Sequence, residues 1–419
     1  MTKADKEGQR KAPILRFKGF TNDWEQRKLE EVTLFIRNGV TIKQNGSYGI
    51  PITRIESIST GTLNLSKVGY ADIQTDKYKG YYLKNNDILF SNINSLEHIG
   101  KVAFVQHLSL DVIHGMNLLN IRINEKSISS KFIYYQLLIM KYNNLFKKIA
   151  KPAVNQASIA ISELKKLVIK VPAVNEQCKI QALLTCLEKI ITLYDRKLKL
   201  LSQVKKYFLD NLFAKKEYPN LRFKGFTDAW EQRKLENLSE HKGGTSIEKY
   251  FSSDGLYKVI SIGSYGLNNE YIDQGIRAVK NKTTESKLVR SGQLTMVLND
   301  KTANGNLIGR CLLISKDNEF IVNQRTEIII PGPDLNENYA YYYLNGPFRN
   351  KVKKIAQGGT QIYVNYSSVK RQKINYPIKN EQIKISKLLK IIKSLITLYE
   401  NKQHHLTEIK KTLLNTMFI

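Results

Sequence analysis

Cysteine is scarce in this chain of 419 residues. The three cysteines, Cys178, Cys186 and Cys311, cannot all pair with one another, and their spacing matches no zinc-binding pattern. A disulfide framework and a zinc finger are therefore both unexpected. Within the internal repeat of the chain, Cys178 and Cys186 align with Ile383 and Ile391, which predicts apolar packing for these two residues. We expect reduced thiols in the cytoplasm.

Long hydrophobic runs are also missing. No stretch approaches 18 consecutive apolar residues, so no membrane-spanning helix is expected. The first eleven residues are charged and lack the apolar centre of a signal peptide. Hydrophobic residues nevertheless make up 42% of the chain, enough for the cores of two to four domains. These features predict a cytoplasmic protein without a membrane partner.

Acidic residues are few compared with basic ones. The chain has 37 Asp and Glu against 66 Lys and Arg, which gives a formal net charge of +29. Such an excess favours a polyanionic partner, most often nucleic acid. A soluble protein from a lysine-rich proteome would have a similar composition without such a partner, so charge alone leaves both readings open.

Familiar catalytic motifs are absent as well. Gly100-Lys101 lacks the first glycine and the hydroxyl residue of a phosphate-binding Walker loop, and neither HExxH nor GxSxG occurs. The nine prolines are never adjacent, which excludes the Asn-Pro-Pro-Tyr type of motif found in amino-methyltransferases. Glu176 and Lys179 resemble half of a nuclease site, but the upstream aspartate is missing. We therefore predict a chain without catalytic residues, metal or cofactor of its own.

The chain does contain a long internal repeat. LRFKGFTNDWEQRKLEEV at 15–32 returns as LRFKGFTDAWEQRKLENL at 221–238, with 14 of 18 residues identical. A second pair of segments, 175–213 and 380–418, is identical at 17 of 39 positions. The chain is therefore a tandem duplication, and each half has an opening motif, a variable region and a long final segment.

The long segments have the spacing of coiled-coil helices. Apolar residues recur in alternating steps of 4 and 3, which predicts an a/d seam over about five heptads. Asn175 and Asn380 are predicted N-caps, and the glutamates that follow them suit the positive end of a helix dipole. The seam residues are Ile180, Leu184, Leu187, Ile191, Tyr194, Leu198 and Leu201 in the first copy, and Ile385, Leu389, Ile392, Ile396, Tyr399 and Leu406 in the second.

Two such helices in one chain are expected to pair with each other. If the duplication relates the two halves by a pseudo-twofold axis, the helices must run antiparallel. Lys205 and Lys410 interrupt the seam at the same phase. They are either solvated helix ends or residues that select register and partner.

The variable regions are mixed in character. YGIPITRIESI and LYKVISIGSY read as strands, and each half also has a strand, a polar loop and a second strand. KFIYYQLLIMKYNNLFKKIAK and NYAYYYLNGPFRNKVKKIAQ read as helices with tyrosine-rich faces. Tyrosines at helical spacing are predicted to be core residues rather than a platform for base stacking.

These features together resemble the specificity (S) subunit of type I restriction-modification enzymes. The resemblance rests on three features of each half. LRFKGFTNDWEQRKL opens the first half and a near-copy opens the second. Each variable region ends with VPAVNEQCKI or YPIKNEQIKI, and a long helix follows. It covers nearly the whole chain. It implies an α+β fold with two mixed α/β target recognition domains separated by two long helices. These helices would form an antiparallel intramolecular coiled coil with pseudo-twofold symmetry.

The resemblance also implies function and partners. Each recognition domain would read one half of a bipartite, asymmetric site in double-stranded DNA, and the helices would set the spacer. Two methyltransferase (modification) subunits and two restriction (motor and nuclease) subunits would join the chain. S-adenosylmethionine, ATP and Mg²⁺ would belong to those partners. The competing readings are a basic coiled-coil scaffold for RNA or protein and a DNA enzyme with an unrecognised site.

The domain boundaries follow from the repeats and the resemblance. We predict a tail at 1–14, the first recognition domain at 15–174, a central conserved helix at 175–220, the second recognition domain at 221–379 and a C-terminal conserved helix at 380–419.

Candidate DNA-binding residues lie in polar loops of the variable regions. HKGGTSIEKY matches the family's Gly-Gly-Thr loop, whereas RNGVTIKQNGSYG in the first half departs from it. Asn, Gln and Lys can pair with base edges, and lysines also contact phosphates. The first-half candidates are Lys43, Arg54, Asn92, Asn94, Ser95, His98, Lys147, Lys148, Asn155 and Gln156. The second-half candidates are Lys242, Gly243, Gly244, Thr245, Ser246, Asn299, Lys301, Thr302, Asn304, Asn306, Lys353, Lys354, Thr360 and Gln361.

Overall fold

The computed structural model of the chain describes residues 12–418, except for residues 45, 47, 59, 60, 74, 75, 127, 215, 216, 302 and 303. The chain divides into two compact units. Unit 1 comprises Met1–Tyr194 and Lys402–Ile419, and unit 2 comprises Asp195–Asn401. Both boundaries fall inside a long helix, so each unit contains the start of one long helix and the end of the other. Of the helices in the described ranges, none is long and apolar enough to cross a membrane.

Unit 1 consists of short strands and helices followed by the first part of a long helix. Its strands are β1 (Glu25–Lys28), β2 (Thr33–Asn38), β3 (Ile50–Ile52), β4 (Gly69–Ala71), β5 (Ile88–Phe90), β6 (Ile93–Asn94), β7 (Val102–Phe104), β8 (Leu119–Ile123), β9 (Lys151–Pro152), β10 (Ala157–Ser158) and β11 (Val168–Val171). Its helices are α1 (Leu29–Val32), α2 (Ser130–Tyr142), α3 (Leu145–Ile149) and α4 (Ile161–Lys165), and the long helix α5 (Val174–Asn211) begins here.

An antiparallel sheet with the order β2-β8-β5-β7 forms the centre of unit 1. Helix α2 packs against it, because Phe132 and Tyr135 of α2 share a buried core with Ile88 and Phe90 of β5. The hydroxyl of Ser129 caps α2 by accepting a hydrogen bond from the backbone N–H of Phe132 at 3.4 Å.

Unit 2 repeats this plan and adds a second four-stranded sheet. Its strands are β12 (Glu231–Lys234), β13 (Ser239–Gly243), β14 (Tyr257–Ile260), β15 (Arg277–Ala278), β16 (Leu288–Val289), β17 (Leu294–Val297), β18 (Asn299–Asp300), β19 (Cys311–Leu313), β20 (Phe320–Val322), β21 (Thr326–Pro331), β22 (Ile362–Tyr363) and β23 (Lys373–Tyr376). Its helices are α6 (Lys282–Glu285), α7 (Glu337–Tyr343), α8 (Arg349–Ile355), α9 (Tyr366–Lys370) and the long helix α10 (Lys379–Met417), which ends in unit 1.

The central sheet of unit 2 has the order β13-β21-β17-β19 and is antiparallel throughout. It is the counterpart of the central sheet of unit 1. The added sheet, β15-β14-β20-β16, contains a parallel pair formed by β14 and β20. The predicted fold class, two mixed α/β parts with two long helices, is confirmed.

Each opening motif contacts the end of a long helix in its own unit. In unit 1, the backbone N–H of Leu15 donates to the carbonyl of Thr416, in the last turn of α10, at 2.9 Å. In unit 2, the N–H of Leu221 donates to the carbonyl of Asn211, the last residue of α5, at 3.0 Å. The EQRK part of each motif forms β1 or β12, which pairs with the strand just before a long helix, β11 or β23.

An arginine of each opening motif binds a glutamate in the first turn of a long helix. Arg16 donates Nε and Nη2 to the two carboxylate oxygens of Glu176 at 2.7 and 2.8 Å, and Arg222 binds Glu381 in the same way at 2.9 and 2.8 Å. Both glutamates are 1% exposed, and these hydrogen bonds raise the pKa of each arginine. Since one motif thus touches the start of one long helix and the end of the other, α5 and α10 run antiparallel.

The glutamine that follows each of these glutamates ties the long helix to the sheet-packing helix of its unit. Gln177 accepts a hydrogen bond at 2.9 Å from the backbone N–H of Ser129, which caps α2. Gln382 accepts one at 2.8 Å from the N–H of Asn336, which caps α7. The repeated Asn-Glu-Gln sequence therefore positions the start of each long helix by two buried polar side chains.

The predicted N-caps of the long helices are wrong by two residues. The first carbonyl that accepts a helical hydrogen bond belongs to Ala173 in α5 and to Ile378 in α10. Asn175 and Asn380 lie inside the first turn and are exposed. A proline, Pro172 or Pro377, directly precedes each observed N-cap residue.

The coiled-coil seam is buried most deeply near the two helix starts. Of the thirteen predicted seam residues, Ile180, Leu184, Ile385, Leu389 and Ile392 are buried. The others, Leu187, Ile191, Tyr194, Leu198, Leu201, Ile396, Tyr399 and Leu406, are half-buried.

Both cysteines of α5 lie off this seam and face solvent. Cys178 and Cys186 are exposed, and Ile391 is 58% exposed, so the predicted apolar packing of these cysteines is wrong. Their positions fall between the seam residues on the helical period. The tyrosine-rich helices are core as predicted: Tyr135 and Tyr339 are fully buried.

One position next to the seam has opposite charges in the two copies. With the offset of 205 between the copies, Glu188 corresponds to Lys393, and Lys205 corresponds to Lys410. In unit 1, Glu188 of α5 pairs with Lys410 of α10 at 2.8 Å and with Lys131 of α2 at 3.0 Å. Lys410 is therefore not a solvated helix end, and its role in selecting register and partner stays a prediction.

In unit 2 the corresponding residues are both lysines, because Lys393 replaces the glutamate and lies near Lys205. Burial lowers the pKa of Lys205, and the charge of Lys393 lowers it further. The positive charge of Lys393 is compensated by the recognition domain. Lys393 pairs with the carboxylate of Glu270 at 3.0 Å and donates to the hydroxyl of Tyr341 at 3.2 Å. The two ends of the helix pair are thus built from different charges.

We predict that Arg16→Met destabilises the protein by roughly 3–5 kcal/mol, because it leaves the buried Glu176 carboxylate unpaired. The double change Arg16→Met/Glu176→Leu should restore most of this loss. Arg27, in an exposed pair with Glu25, is the control, and Arg27→Met should cost less than about 1 kcal/mol. Urea unfolding of the four proteins measures the differences. Equal losses for Arg16→Met and Arg27→Met would contradict this account.

The Glu188 cluster should make unit 1 sensitive to acid. Burial alone would raise the pKa of Glu188, but Lys410 and Lys131 together hold it below the usual 4.5. A carboxylate with a lowered pKa contributes stability above its unfolded pKa, and this contribution is lost as pH falls below about 4.5. Glu188→Gln should cost about 2 kcal/mol at pH 7 and should reduce the loss between pH 5 and 3. Parallel pH profiles of the urea midpoint for both proteins would contradict the prediction.

Candidate nucleic-acid interface

The topology of unit 2 brings four chain segments to one edge of its central sheet. Gly243 at the end of β13 pairs with Glu327, and Val297 at the end of β17 pairs with Thr326 at the start of β21. The start of β19 lies at the same edge, since Met296 pairs with Cys311. We call this the loop edge of unit 2.

Unit 1 has the same edge. Asn38 at the end of β2 and Phe90 at the end of β5 both pair with Leu119 at the start of β8. Phe90 also pairs with Val102 at the start of β7. The polar loops predicted from the sequence therefore emerge side by side in each unit, although they are far apart in the chain.

A β-hairpin joins each loop edge. In unit 1, β10 pairs with β9 and with β6, so the hairpin tip that carries Asn155 and Gln156 adjoins Asn94. In unit 2, β22 pairs with β18 and Ile362 lies opposite Asp300, so the tip with Thr360 and Gln361 adjoins Lys301. The structure thus brings the predicted base readers of the polar loop and of the hairpin together in both units.

The Gly-Gly-Thr loop of unit 2 is packed tightly against a neighbouring turn. The N–H of Gly244 donates to the carbonyl of Thr326 at 2.8 Å. A Cβ atom on Gly244 would lie 2.0 Å from the carbonyl oxygen of Asn323, so only glycine fits there. Gly243, Thr245 and Ser246 are exposed. Lys242 is also exposed, and it donates to the carbonyl of Ser286.

Glu248 holds this loop and the turn together. Its carboxylate accepts hydrogen bonds from Asn323 Nδ2 at 3.0 Å, from Gln324 Nε2 at 2.9 Å and from the Ser246 hydroxyl. These bonds, the one from Ser246 foremost, lower the pKa of Glu248 to about 2. Glu248 is therefore an ionised clamp at neutral pH rather than a proton donor.

Two arginines fix the backbone of the polar loop after β18. Arg349 donates Nη2 to the carbonyls of Gly305 and Asn306 at 3.1 and 2.7 Å, and Arg310 donates Nε to the Asn306 carbonyl at 2.7 Å. Burial, together with the nearby charge of Arg310, lowers the pKa of Arg349 to about 10. The side chains of Lys301, Asn304 and Asn306 are exposed, and Asn299 is half-buried. Thr302 lies outside the described residues.

Lysines lie beside both hairpins. Lys353 and Lys354 at the end of α8 are exposed, as are Lys147 and Lys148 at the end of α3. Burial lowers the pKa of Lys353, and the charges of Arg349 and Arg310 lower it further. All four remain positioned as candidates for phosphate contacts at the flanks of the loop edges.

Several side chains in the polar loop of unit 1 are buried or make hydrogen bonds within the loop. Asn92 is 7% exposed, so its side chain is not presented at the surface. Asn94 donates to the Ser91 hydroxyl at 3.1 Å and accepts from the N–H of Ser95 at 2.8 Å. The side chains of Ser95 and His98 are exposed.

The divergent first-half segment also reaches the loop edge. The N–H of Gly39 donates to the carbonyl of Leu118, which places the chain leading to Lys43 beside the turn before β8. Lys43 and Arg54 are exposed, and Arg54 donates to the side-chain oxygen of Gln44. These residues therefore extend the edge that β2 and β8 begin.

The sequence did not point to the turn just before β8 or β21. Residues 115–118 and 323–325 lie in the middle of their loop edges, because β8 and β21 are inner strands. Their only sequence signal in unit 2 is the polar run Asn-Gln-Arg, which is ordinary for a surface turn.

The chain resembles known proteins along nearly its whole length. A sequence model of the family described as "Type I restriction modification DNA specificity domain" matches residues 21–203 and again residues 227–408. A protein of Methanocaldococcus jannaschii named as the MjaX specificity subunit of a type I restriction enzyme is 30% identical over 405 residues, which covers 94% of this chain and 92% of that protein.

Solved structures share the fold. The crystal structure of the type I restriction-modification system S subunit from M. genitalium has a TM-score of 0.62 at 14% identity and covers 97% of this chain and 99% of that one. A chain from a structure concerned with complex assembly and conformational transition of the type I R-M system has a TM-score of 0.55 at 14% identity, covering 96% and 99%.

We predict that Gly244→Ala lowers the stability of the protein by about 1–3 kcal/mol, since the new Cβ would overlap the backbone of the neighbouring turn. Gly243→Ala is the matched control, because its Cβ would meet only a Glu327 carboxylate oxygen at 3.5 Å. Urea unfolding compares the two variants. If both behaved like the wild type, the tight packing of loop against turn would be refuted.

Proposed function

Because the chain belongs to the type I restriction-modification DNA specificity family and contains two copies of its domain, we propose that each copy reads one half of a bipartite DNA sequence. The chain is a specificity subunit. The finer assignments below are our proposal: the two half-sites, the partner subunits and their numbers, and the cytoplasmic location.

The shared loop edge is the observation that carries the two-reader proposal. Both units place the end of two strands, an inner turn and a polar hairpin at the same position on equivalent sheets. The side chains there differ, for example Asn94 beside one hairpin and Asn299 with Lys301 beside the other. Equivalent frames with different polar side chains suit two readers of two different half-sites. The net charge of +29 supports DNA as the partner.

We assign the catalytic work to partner subunits. Two methyltransferase subunits and two restriction subunits would bind this chain, and S-adenosylmethionine, ATP and Mg²⁺ would be held by them. Exposed apolar side chains on the long helices support a protein partner there. Leu193 and Leu200 of α5 are 55% and 60% exposed, and Ile391 and Leu398 of α10 are 58% and 46% exposed.

The proposal is tested by exchanging one domain at a time. Replacing residues 31–167 with the equivalent region of a relative should change one half of the methylated sequence in cells that also produce the partner methyltransferase. Replacing residues 237–374 should change the other half. The frame of repeated motifs lies mostly outside these segments, so each exchange should leave the opposite half-site intact. Genome-wide methylation mapping reads out both.

Two outcomes would defeat the proposal. An exchange that alters both half-sites would contradict two independent readers. DNA binding without sequence preference, together with binding of RNA or protein, would instead favour a basic scaffold. As a further check, the purified chain with DNA, S-adenosylmethionine, ATP and Mg²⁺ should neither methylate nor cleave; turnover by the chain alone would contradict the assignment of catalysis to partners.

A further inference from the structure

The turn Asn323–Arg325 occupies the centre of the loop edge in unit 2. It connects β20 to β21, and β21 lies between β13 and β17 in the central sheet. The Gly-Gly-Thr loop is therefore on one side of the turn and the polar loop after β18 is on the other. Backbone hydrogen bonds join both sides: Gly244 N–H donates to Thr326, and Leu298 N–H donates to the carbonyl of Arg325 at 3.0 Å.

Arg325 adopts a backbone conformation that arginine rarely takes. Its φ is +67°, in the left-handed region. The other non-glycine residues with positive φ in the described part of the chain are asparagines and one histidine, namely Asn86, His107, Asn117, Asn144, Asn269 and Asn318. Asparagine tolerates this region through local hydrogen bonds, whereas a long side chain gains nothing comparable. Such strain persists only where the surroundings enforce it, and it concentrates at functional sites.

Neighbouring residues hold the backbone of this turn in place. Asn323 is 7% exposed, accepts the Ile247 N–H at 3.3 Å and donates to Glu248 at 3.0 Å. Gln324 donates to the same carboxylate at 2.9 Å. The side chains of the first two residues of the turn are thus bound to Ile247 and Glu248, just after the Gly-Gly-Thr loop. Only Arg325 is left to face outward.

The guanidinium of Arg325 is exposed, and within the described residues no hydrogen bond or ion pair to it is found. It therefore presents its donors in a fork on a rigid base. A planar fork of this kind matches O6 and N7 of guanine in the major groove, which is the commonest specific contact between a side chain and a base. The lysines of α8 stand beside the hairpin and suit phosphates. Arg325 lies at the centre of the loop edge, which suits a side chain that enters the major groove of DNA.

We propose that Arg325 is a specificity-determining residue that reads a guanine in the half-site recognised by unit 2. This inference rests on the proposed function of the chain as a two-reader DNA specificity subunit. The equivalent turn of unit 1, residues 115–118, has Asn117 at the same backbone position, with φ +65°. The two units therefore place different chemistry at one equivalent point.

Asn117 also suggests the variant that tests the proposal. Arg325→Asn removes the guanidinium and inserts the residue type best suited to positive φ, so folding is not at risk. Arg325→Lys keeps the charge but loses the bidentate fork. Arg290, exposed in the turn before β17 at the opposite edge of the sheet, provides the control Arg290→Asn for loss of one positive charge.

The experiment maps DNA methylation in cells that produce the full chain, or a variant, with its methyltransferase. In wild-type cells the unit 2 half-site should contain a guanine. With Arg325→Asn and with Arg325→Lys that position should become degenerate, with discrimination reduced by about 5- to 150-fold. The other half-site should not change. Arg290→Asn should leave the whole motif unaltered.

Three results would overturn the inference while leaving the proposed function standing. They are a unit 2 half-site without guanine on either strand, an unchanged motif with Arg325→Asn, and full specificity with Arg325→Lys alongside uniformly weaker methylation with Arg325→Asn. The last would mark a phosphate contact. A wild-type chain that directs no sequence-specific methylation would instead defeat the proposed function itself.

Discussion

The bidentate pair between an opening-motif arginine and a buried glutamate at a helix start constrains everything else in each unit. A carboxylate that is 1% exposed requires a paired cation, and Arg16 or Arg222 supplies it from 160 or 159 residues away in the chain. The pair therefore closes the intervening variable region into a loop with fixed ends. Since two variable regions exist, two closures are needed, which explains why the opening phrase and the Asn-Glu-Gln sequence both occur twice. Each closure also sets the position of a long helix relative to its own domain.

Fixed ends allow the loop edge to vary. The central sheet keeps the same strand order in both units, and the inner strand always starts at the middle of the edge. The hydrogen bonds that hold the edge in unit 2 come from a few side chains, such as Glu248 and Arg349. The side chains at the surface are then free to differ, as Arg325 and Asn117 do. Changes in recognition can thus accumulate without loss of the fold.

The features that were predictable from the sequence are those that leave a repeat or a hydrophobic period in it. The duplication, the antiparallel pair of long helices, the mixed α/β domains and the tyrosine core all follow from patterns that burial enforces. Prediction from the sequence failed where tertiary contacts matter. The helices start at Ala173 and Ile378, where a glutamine of the first turn bonds to the distant Ser129 or Asn336, and Cys178 is exposed because it lies off the seam. The polar loops were recognisable by composition. The turn at Arg325 was not, because its central position arises only from strand order and its strain only from φ.

The charges of the seam give the two units different links between helix and reader. In unit 1, Glu188 connects α5 directly to Lys131 of α2 and to Lys410. In unit 2 the corresponding residue is Lys393, which lies near Lys205 and contacts Glu270 and Tyr341 of the domain. Tyr341 in turn donates to the carbonyl of Asn269 at 2.9 Å, and the side chain of Asn269 accepts from Arg310, which also holds the carbonyl of Asn306. A contiguous set of polar contacts therefore runs from α10 to the loop edge of unit 2. The opposite charges at this position therefore link the long helices to the two recognition domains through different side chains.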